Sequence, residues 1–200
     1  MKVIVVRHGE TRENASMVLM GHRHGTLSRN GVAQARRLAL KLKSQKIDAI
    51  FSSDLRRARD TTAQIARYHD VPIFYSKALR EQNYGIFQGR PLKEMLSAQK
   101  SKGTASFSFR PRNGESAADV RRRVRRFMNG LMLRYKHKTI LISAHSGIVW
   151  SILSVYGHVP FDKLTRMKPK NAGVLILQIG GSKSRLMKSD MFGAAHSIIP

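Results

Sequence analysis

The chain has 200 residues, of which 42% are hydrophobic and 24% charged, so it falls outside the disordered, collagen-like and low-complexity classes and carries enough apolar material for a core. Cysteine is absent, which excludes disulfides and thiolate metal sites and suits a reducing compartment. Against 12 Asp and Glu stand 37 Lys and Arg, a formal net charge of +25 that favours anionic partners without choosing among nucleic acid, acidic membrane surfaces and small phosphorylated molecules.

Taken in chain order, Val3 to Val6 is short, β-branched and stopped by Arg7-His8-Gly9, which predicts a buried strand with polar residues at its C-terminal end. Arg7 also interrupts any secretory h-region, so the expected location is cytoplasmic. Ala35, Leu38, Ala39 and Leu42 recur at helical spacing from Asn30 onward, and Ile47 to Phe51 reads as a second strand. Ser52-Ser53-Asp54 is expected to cap a helix whose face is Leu55, Ala58, Thr62, Ile65 and Ala66. A short strand at Ile73 to Tyr75 precedes an irregular region, from about residue 79 to 116, with one brief helix near Leu92 to Gln99; substrate loops are expected here.

Val120, Val124, Phe127 and Leu131 mark a long helix, Thr139 to Ser143 another strand and Gly147 to Val155 another helix. Thr139 to Gly157 has no charged residue over nearly a bilayer-spanning length, but Ser143, His145, Ser146, Gly147, Ser151 and Ser154 punctuate it, so a strand and a buried helix are expected there and no membrane span. Val174 to Ile179 is the last strand that the pattern defines, ahead of a basic tail. Strands alternating with helices predict an α/β fold over residues 1–200 as a single domain, with a mostly parallel sheet covered on both faces.

Arg7-His8-Gly9-Glu10-Thr11 with Asn14 resembles the signature of the histidine phosphatase superfamily, which includes the cofactor-dependent phosphoglycerate mutases. Four further blocks follow in that family's order: Ser53-Asp54-Leu55-Arg56-Arg57-Ala58, Leu79-Arg80-Glu81 with Tyr84-Gly85, Asn113-Gly114-Glu115-Ser116, and Ser143-Ala144-His145-Ser146-Gly147. The resemblance implies a three-layer α/β/α sandwich, phosphoglycerate mutase-like, with a phosphomonoester hydrolase site. It implies His8 as nucleophile, Arg7, Arg57 and His145 as the phosphate cradle, Glu81 as proton donor, and the Gly9 carbonyl as acceptor for the second His8 ring nitrogen.

Each residue type has a chemical reason. A phosphomonoester dianion repels nucleophiles, so cations must gather around its oxygens, and guanidinium groups stay charged and grip two oxygens at once. Imidazole attacks phosphorus only when neutral, and arginines around His8 disfavour its protonation. A carboxyl such as Glu81 can protonate the leaving oxygen and then deprotonate water. Asn14, Thr11, Ser146, Arg23 and His22 are the expected substrate-binding residues, the last two within His22-Arg23-His24-Gly25, a segment that varies with substrate among relatives. Ser146 departs from the glycine usual after the second histidine.

Neither a cofactor nor a metal is implied, because His8, His22 and His24 lack ligand spacing and a joining carboxylate. The expected partner is a small phosphorylated metabolite, and a homodimer stays open. The short helix after Gly89 favours hydrolysis over a phosphoglycerate mutase reaction, whose enzymes carry a longer arginine-rich insertion. The rival from another class is a nucleic-acid-binding protein, suggested by Arg121-Arg122-Arg123 and Arg125-Arg126, most of which are expected in solvent; no aromatic-interleaved RNA-binding signature accompanies them.

Overall fold

Apolar runs without polar alternation form strands buried on both faces, and this chain builds its sheet from them. The computed structural model describes residues 1–180 and 184–192, so part of the tail lies outside the described residues. The elements are β1 (Lys2–Arg7), α1 (Arg12–Ala15), α2 (Arg29–Leu42), β2 (Ala49–Ser53), α3 (Arg56–Ala66), β3 (Ile73–Ser76), α4 (Leu92–Ser101), α5 (Ala117–Arg134), β4 (Thr139–Ala144), α6 (Ser146–Tyr156), α7 (Phe161–Thr165), β5 (Val174–Gln178) and β6 (Arg185–Ser189). They form one sheet in the order β3-β2-β4-β1-β5-β6. The β3-β2, β2-β4 and β4-β1 pairings are parallel, while β5 runs antiparallel to both β1 and β6.

Successive side chains of a strand serve opposite layers. Val3, Val5, Ile140 and Ile142 pack with Val124 and Met128 of α5 and Ile148 and Ile152 of α6. Ile4, Val6, Ile50 and Leu141 pack on the other face with Leu38, Ala39 and Leu42 of α2 and Ile65 of α3. The result is the α/β/α sandwich that the strand and helix order predicted. The uncharged stretch from Thr139 becomes β4 and α6, and no helix among the described residues is long and apolar enough to cross a membrane.

Two local expectations are corrected. Leu55, not the Ser52-Ser53-Asp54 cluster, occupies the N-cap of α3, with no side-chain capping bond. Ser52 and Ser53 are buried in β2, and Asp54 is held by a two-point ion pair with Arg80, stronger than a bond to a helix N–H. The basic tail contributes β6, whose Arg185 and Lys188 give it no apolar alternation; it lies at the sheet edge, where charge and exposure are tolerated.

The loop after β1 lies directly on the first turn of α2. Ser28 caps that helix by accepting from the Gly31 N–H at 2.9 Å. A Cβ on Gly31 would enter the van der Waals shell of the Glu10 carbonyl oxygen, and one on Gly9 would collide with the Gly31 carbonyl. Gly→Ala in an open helix gains about 1 kcal/mol. Here the sign is reversed: Gly31→Ala is expected to cost about 2 kcal/mol in urea unfolding, the usual penalty of overpacking. A stabilised variant would refute the contact.

Candidate active site

Strand register brings the two histidines of the sequence blocks together. Arg7 pairs with Ala144 across β1 and β4, so His8 and His145 follow side by side at the C-terminal edge. The His8 N–H donates to the Ala144 carbonyl at 3.0 Å, and the ring centroids are 5.1 Å apart. The helices after β1 and β4, α2 and α6, lie on opposite faces, so a crevice opens between these strands as at other switch points of α/β sheets. A cavity of about 410 Å³ occupies it, lined by Arg7, His8, Asn14, Arg57, Glu81 and Ser146 among others.

His8 Nδ1 lies 2.7 Å from the Gly9 carbonyl oxygen. A carbonyl only accepts, so Nδ1 carries the proton and Nε2 keeps its lone pair. The Gly9 N–H donates to Thr61 Oγ1 at 3.0 Å, and the Thr61 hydroxyl donates to the Arg57 carbonyl at 2.8 Å, which ties this turn to α3. Burial, then Arg57, then Arg7 hold the His8 pKa well below the ordinary imidazole value. Burial followed by Arg57, His8 and Arg7 does the same to His145.

The cations are fastened by carbonyls. Arg7 donates to the Pro169 carbonyl. Arg57 donates to the carbonyls of Arg23 at 2.5 Å, His24 at 3.1 Å and Gly21 at 2.9 Å. Burial lowers the Arg57 pKa to about 10 against the opposing pull of Glu81 and Tyr84, which leaves it charged at neutral pH. Among the described residues, Arg7 Nε and His145 Nδ1 are buried without a hydrogen-bond partner. The His145 ring is held from its far side by Ser53 Oγ, 2.9 Å from Nε2. Unpaired buried nitrogens are costly; Arg7 lines the cavity, whereas His145 stands behind its lining, beside the His8 ring.

Glu81 reaches the cavity from the loop after β3. Its Oε1 accepts from its neighbour Gln82 N–H at 2.9 Å and from Gly147 N–H at 3.0 Å, at the first turn of α6. A Cβ on Gly147 would collide with that oxygen. Two ion pairs fix the loop: Arg80 on Asp54, and Arg123 on Glu115, with Arg123 also donating to the Ala78 carbonyl at 2.8 Å and the Glu81 carbonyl at 2.9 Å. Arg121 stacks on Phe107 and donates to Ser154, so of the five arginines between residues 121 and 126 only Arg122, Arg125 and Arg126 are exposed.

The expected substrate-binding residues divide. Asn14 and Ser146 line the cavity; Thr11, His22 and Arg23 do not. Asn14 Oδ1 accepts from the Thr11 N–H and from Asn171, so its amide N–H groups are left for the cavity. Thr11 is buried and caps α1 through Asn14. The His22 ring turns to the Glu81 carbonyl at 3.0 Å, and the exposed Arg23 lies against Gly89, so this segment contributes through its backbone carbonyls to Arg57. Tyr84, Trp150, Arg166 and Lys168 also line the cavity, and Asn171 donates to the His8 carbonyl. Of these, only the Asn171-Ala172-Gly173 turn before β5 carries a local signal, a polar residue at a strand entry opposite β1.

The profile of the Histidine phosphatase superfamily (branch 1) matches residues 3–190. The chain is 36% identical over 132 residues to fructose-2,6-bisphosphatase TIGAR of Bos taurus, a match covering 64% of this chain and 49% of that protein, so it spans about half the length of this relative. It is 30% identical over 154 residues to the adenosylcobalamin/alpha-ribazole phosphatase of Salmonella typhimurium, covering 74% and 76% of the two chains. The solved structure of mycobacterial hydrolase 1 has the same fold, with a TM-score of 0.85 at 23% identity over 96% of this chain and 99% of that one.

The lowered histidines make stability depend on pH. Unfolded, His8 and His145 take up protons below about pH 6.5, whereas folded they resist doing so, with smaller effects of the same sign at His22 and His69. Stability is therefore full above that pH and falls as the solution is acidified, by up to about 1.4 kcal/mol per pH unit for each histidine. Urea midpoints between pH 7 and pH 5 are expected to show the decline, and His145→Asn to make it shallower. An unchanged slope in that variant would count against a neutral buried His145.

Proposed function

The chain belongs to the histidine phosphatase superfamily, and from that premise we propose that it hydrolyses phosphate monoesters through a phosphohistidine on His8. The observation that carries this reading is the His8 ring, whose Nδ1 is committed to the Gly9 carbonyl and whose unprotonated Nε2 shares one cavity with Arg7, Arg57, Glu81 and Asn14. The phosphoryl oxygens sit among Arg7, Arg57, the Asn14 amide and His145 Nδ1. His8 Nε2 attacks phosphorus, the ester P–O bond breaks, and the leaving oxygen takes a proton from Glu81. Water then attacks the phosphohistidine and gives a proton back to Glu81, the P–N bond breaks, and His8 regains its lone pair. The imidazole needs no deprotonation because burial and the flanking guanidinium groups already keep it neutral.

Hydrolysis is favoured over transfer to a second phosphoglycerate because the segment after Gly89 is short, a single helix, α4, followed by a loop that returns to α5. Residues 79–116 act as the substrate loops of a single catalytic domain. Nucleic-acid binding is the weaker alternative, since Arg121 and Arg123 are engaged within the fold. The metabolite relatives named above suggest small phosphorylated substrates, and the catalytic cavity suits them.

His8→Ala is expected to abolish phosphate release from p-nitrophenyl phosphate. Glu81→Gln should lower kcat by about 100-fold or more, the usual worth of a general acid, while leaving inhibition by vanadate nearly intact. Gly147→Ala, by pushing on the Glu81 carboxylate, should reproduce that pattern in weaker form. Wild-type rates in the His8 variant would defeat the mechanism. With 3-phosphoglycerate and a 2,3-bisphosphoglycerate primer, phosphate release should outrun formation of 2-phosphoglycerate; the reverse order would assign a mutase.

A further inference from the structure

A second cavity of about 370 Å³ adjoins the catalytic one, and Tyr84, Leu92, Trp150 and Thr165 line both. Its walls include Met95, Leu96, Phe109 and Phe161. Every residue lining it is uncharged, in a chain whose formal net charge is +25. The cations Arg166 and Lys168 face the catalytic cavity alone. The roof is α4, which contributes no buried residue although Leu92, Met95 and Leu96 fall on successive turns toward the cavity. Leu96 is 50% exposed. A helix with an apolar face is normally held by burying that face, so α4 sits over space that an apolar occupant would fill.

Resting on the phosphatase reading above, we propose that the preferred substrates are phosphate monoesters of long uncharged alcohols, with the phosphoryl group at His8 and the alcohol running past Tyr84 and Trp150 into this second compartment. The Tyr84 phenol stays protonated at neutral pH, since burial and Glu81 push its pKa well above the usual value, so its hydroxyl can donate at the junction. A second phosphate or carboxylate at the far end would lose its hydration with no cation to receive it. Each methylene that enters should raise kcat/KM by up to about fourfold until the compartment is full.

The test is the kcat/KM series for ethyl, hexyl and decyl phosphate with the full chain. Decyl phosphate is expected to exceed ethyl phosphate by about 30-fold or more, and 1,10-decanediol bisphosphate to lose at least about tenfold of that gain. Leu96→Lys, at a half-exposed position where the fold is not at stake, is expected to cut the decyl-to-ethyl ratio about tenfold. A flat chain-length series, or a ratio unmoved by Leu96→Lys, overturns the proposal while p-nitrophenyl phosphate turnover keeps the phosphatase reading intact. Should no ester be hydrolysed, that reading fails, and calorimetric titration with decyl and ethyl phosphate decides the compartment separately: tighter decyl binding supports it, equal affinity overturns it.

Discussion

An unprotonated imidazole beside two buried guanidinium groups is the constraint around which this molecule is arranged. Guanidinium charge is needed to receive a phosphoryl dianion, yet burying it is costly unless its hydrogen-bond donors are satisfied. The chain meets that demand with backbone carbonyls, Pro169 for Arg7 and the Gly21–His24 loop for Arg57. The same buried charge lowers the His8 pKa, so in the proposed reaction the groups that would bind the substrate also ready the nucleophile. All of this depends on the β1-β4 register, because a slip of one residue would turn His8 or His145 to the other face of the sheet.

Glu81 is placed by a different means. It comes from a loop, and loops are less rigid than strand ends. Arg80 with Asp54 and Arg123 with Glu115 tie the residues on either side of it to the turn before α3 and to α5, and the Gly147 N–H fixes one carboxylate oxygen. Ion pairs this close to the surface contribute little to stability on their own. Their effect here is geometric, since they hold a carboxylate at the cavity that His8 lines without adding a charged side chain of their own to it.

Much of this was legible in the sequence. The apolar runs located the strands, the 3.6-residue spacing of Ala35, Leu38, Ala39 and Leu42 located α2, and His8, Arg57, Glu81 and Ser146, from four of the blocks, line one cavity, with His145 beside His8 behind it. What stayed hidden depends on partners distant in the chain. Ser53 looked like a helix cap, but β2 lies beside β4 and turns it to His145. Arg123 looked like part of a solvated stripe, and it is Glu115 with the Ala78 and Glu81 carbonyls that draws it inward. His22 and Arg23 looked like substrate ligands because their segment varies among relatives, whereas the segment meets the site through the carbonyls of Gly21, Arg23 and His24 on Arg57. Strand β6 has no periodic signal because an exposed edge strand needs none.

Arg57 has one more implication. A guanidinium group offers five N–H bonds, and three of them already point at loop carbonyls, so two remain for an incoming oxyanion. In the proposed reaction the residue is at once rivet and ligand. A lysine could keep the positive charge, but its three donors radiate from a single nitrogen and cannot hold the rim of the pocket and grip an anion together. The loop's shape and the site's appetite for anions are therefore inherited as one trait, and an exchange of one basic residue for another would forfeit both.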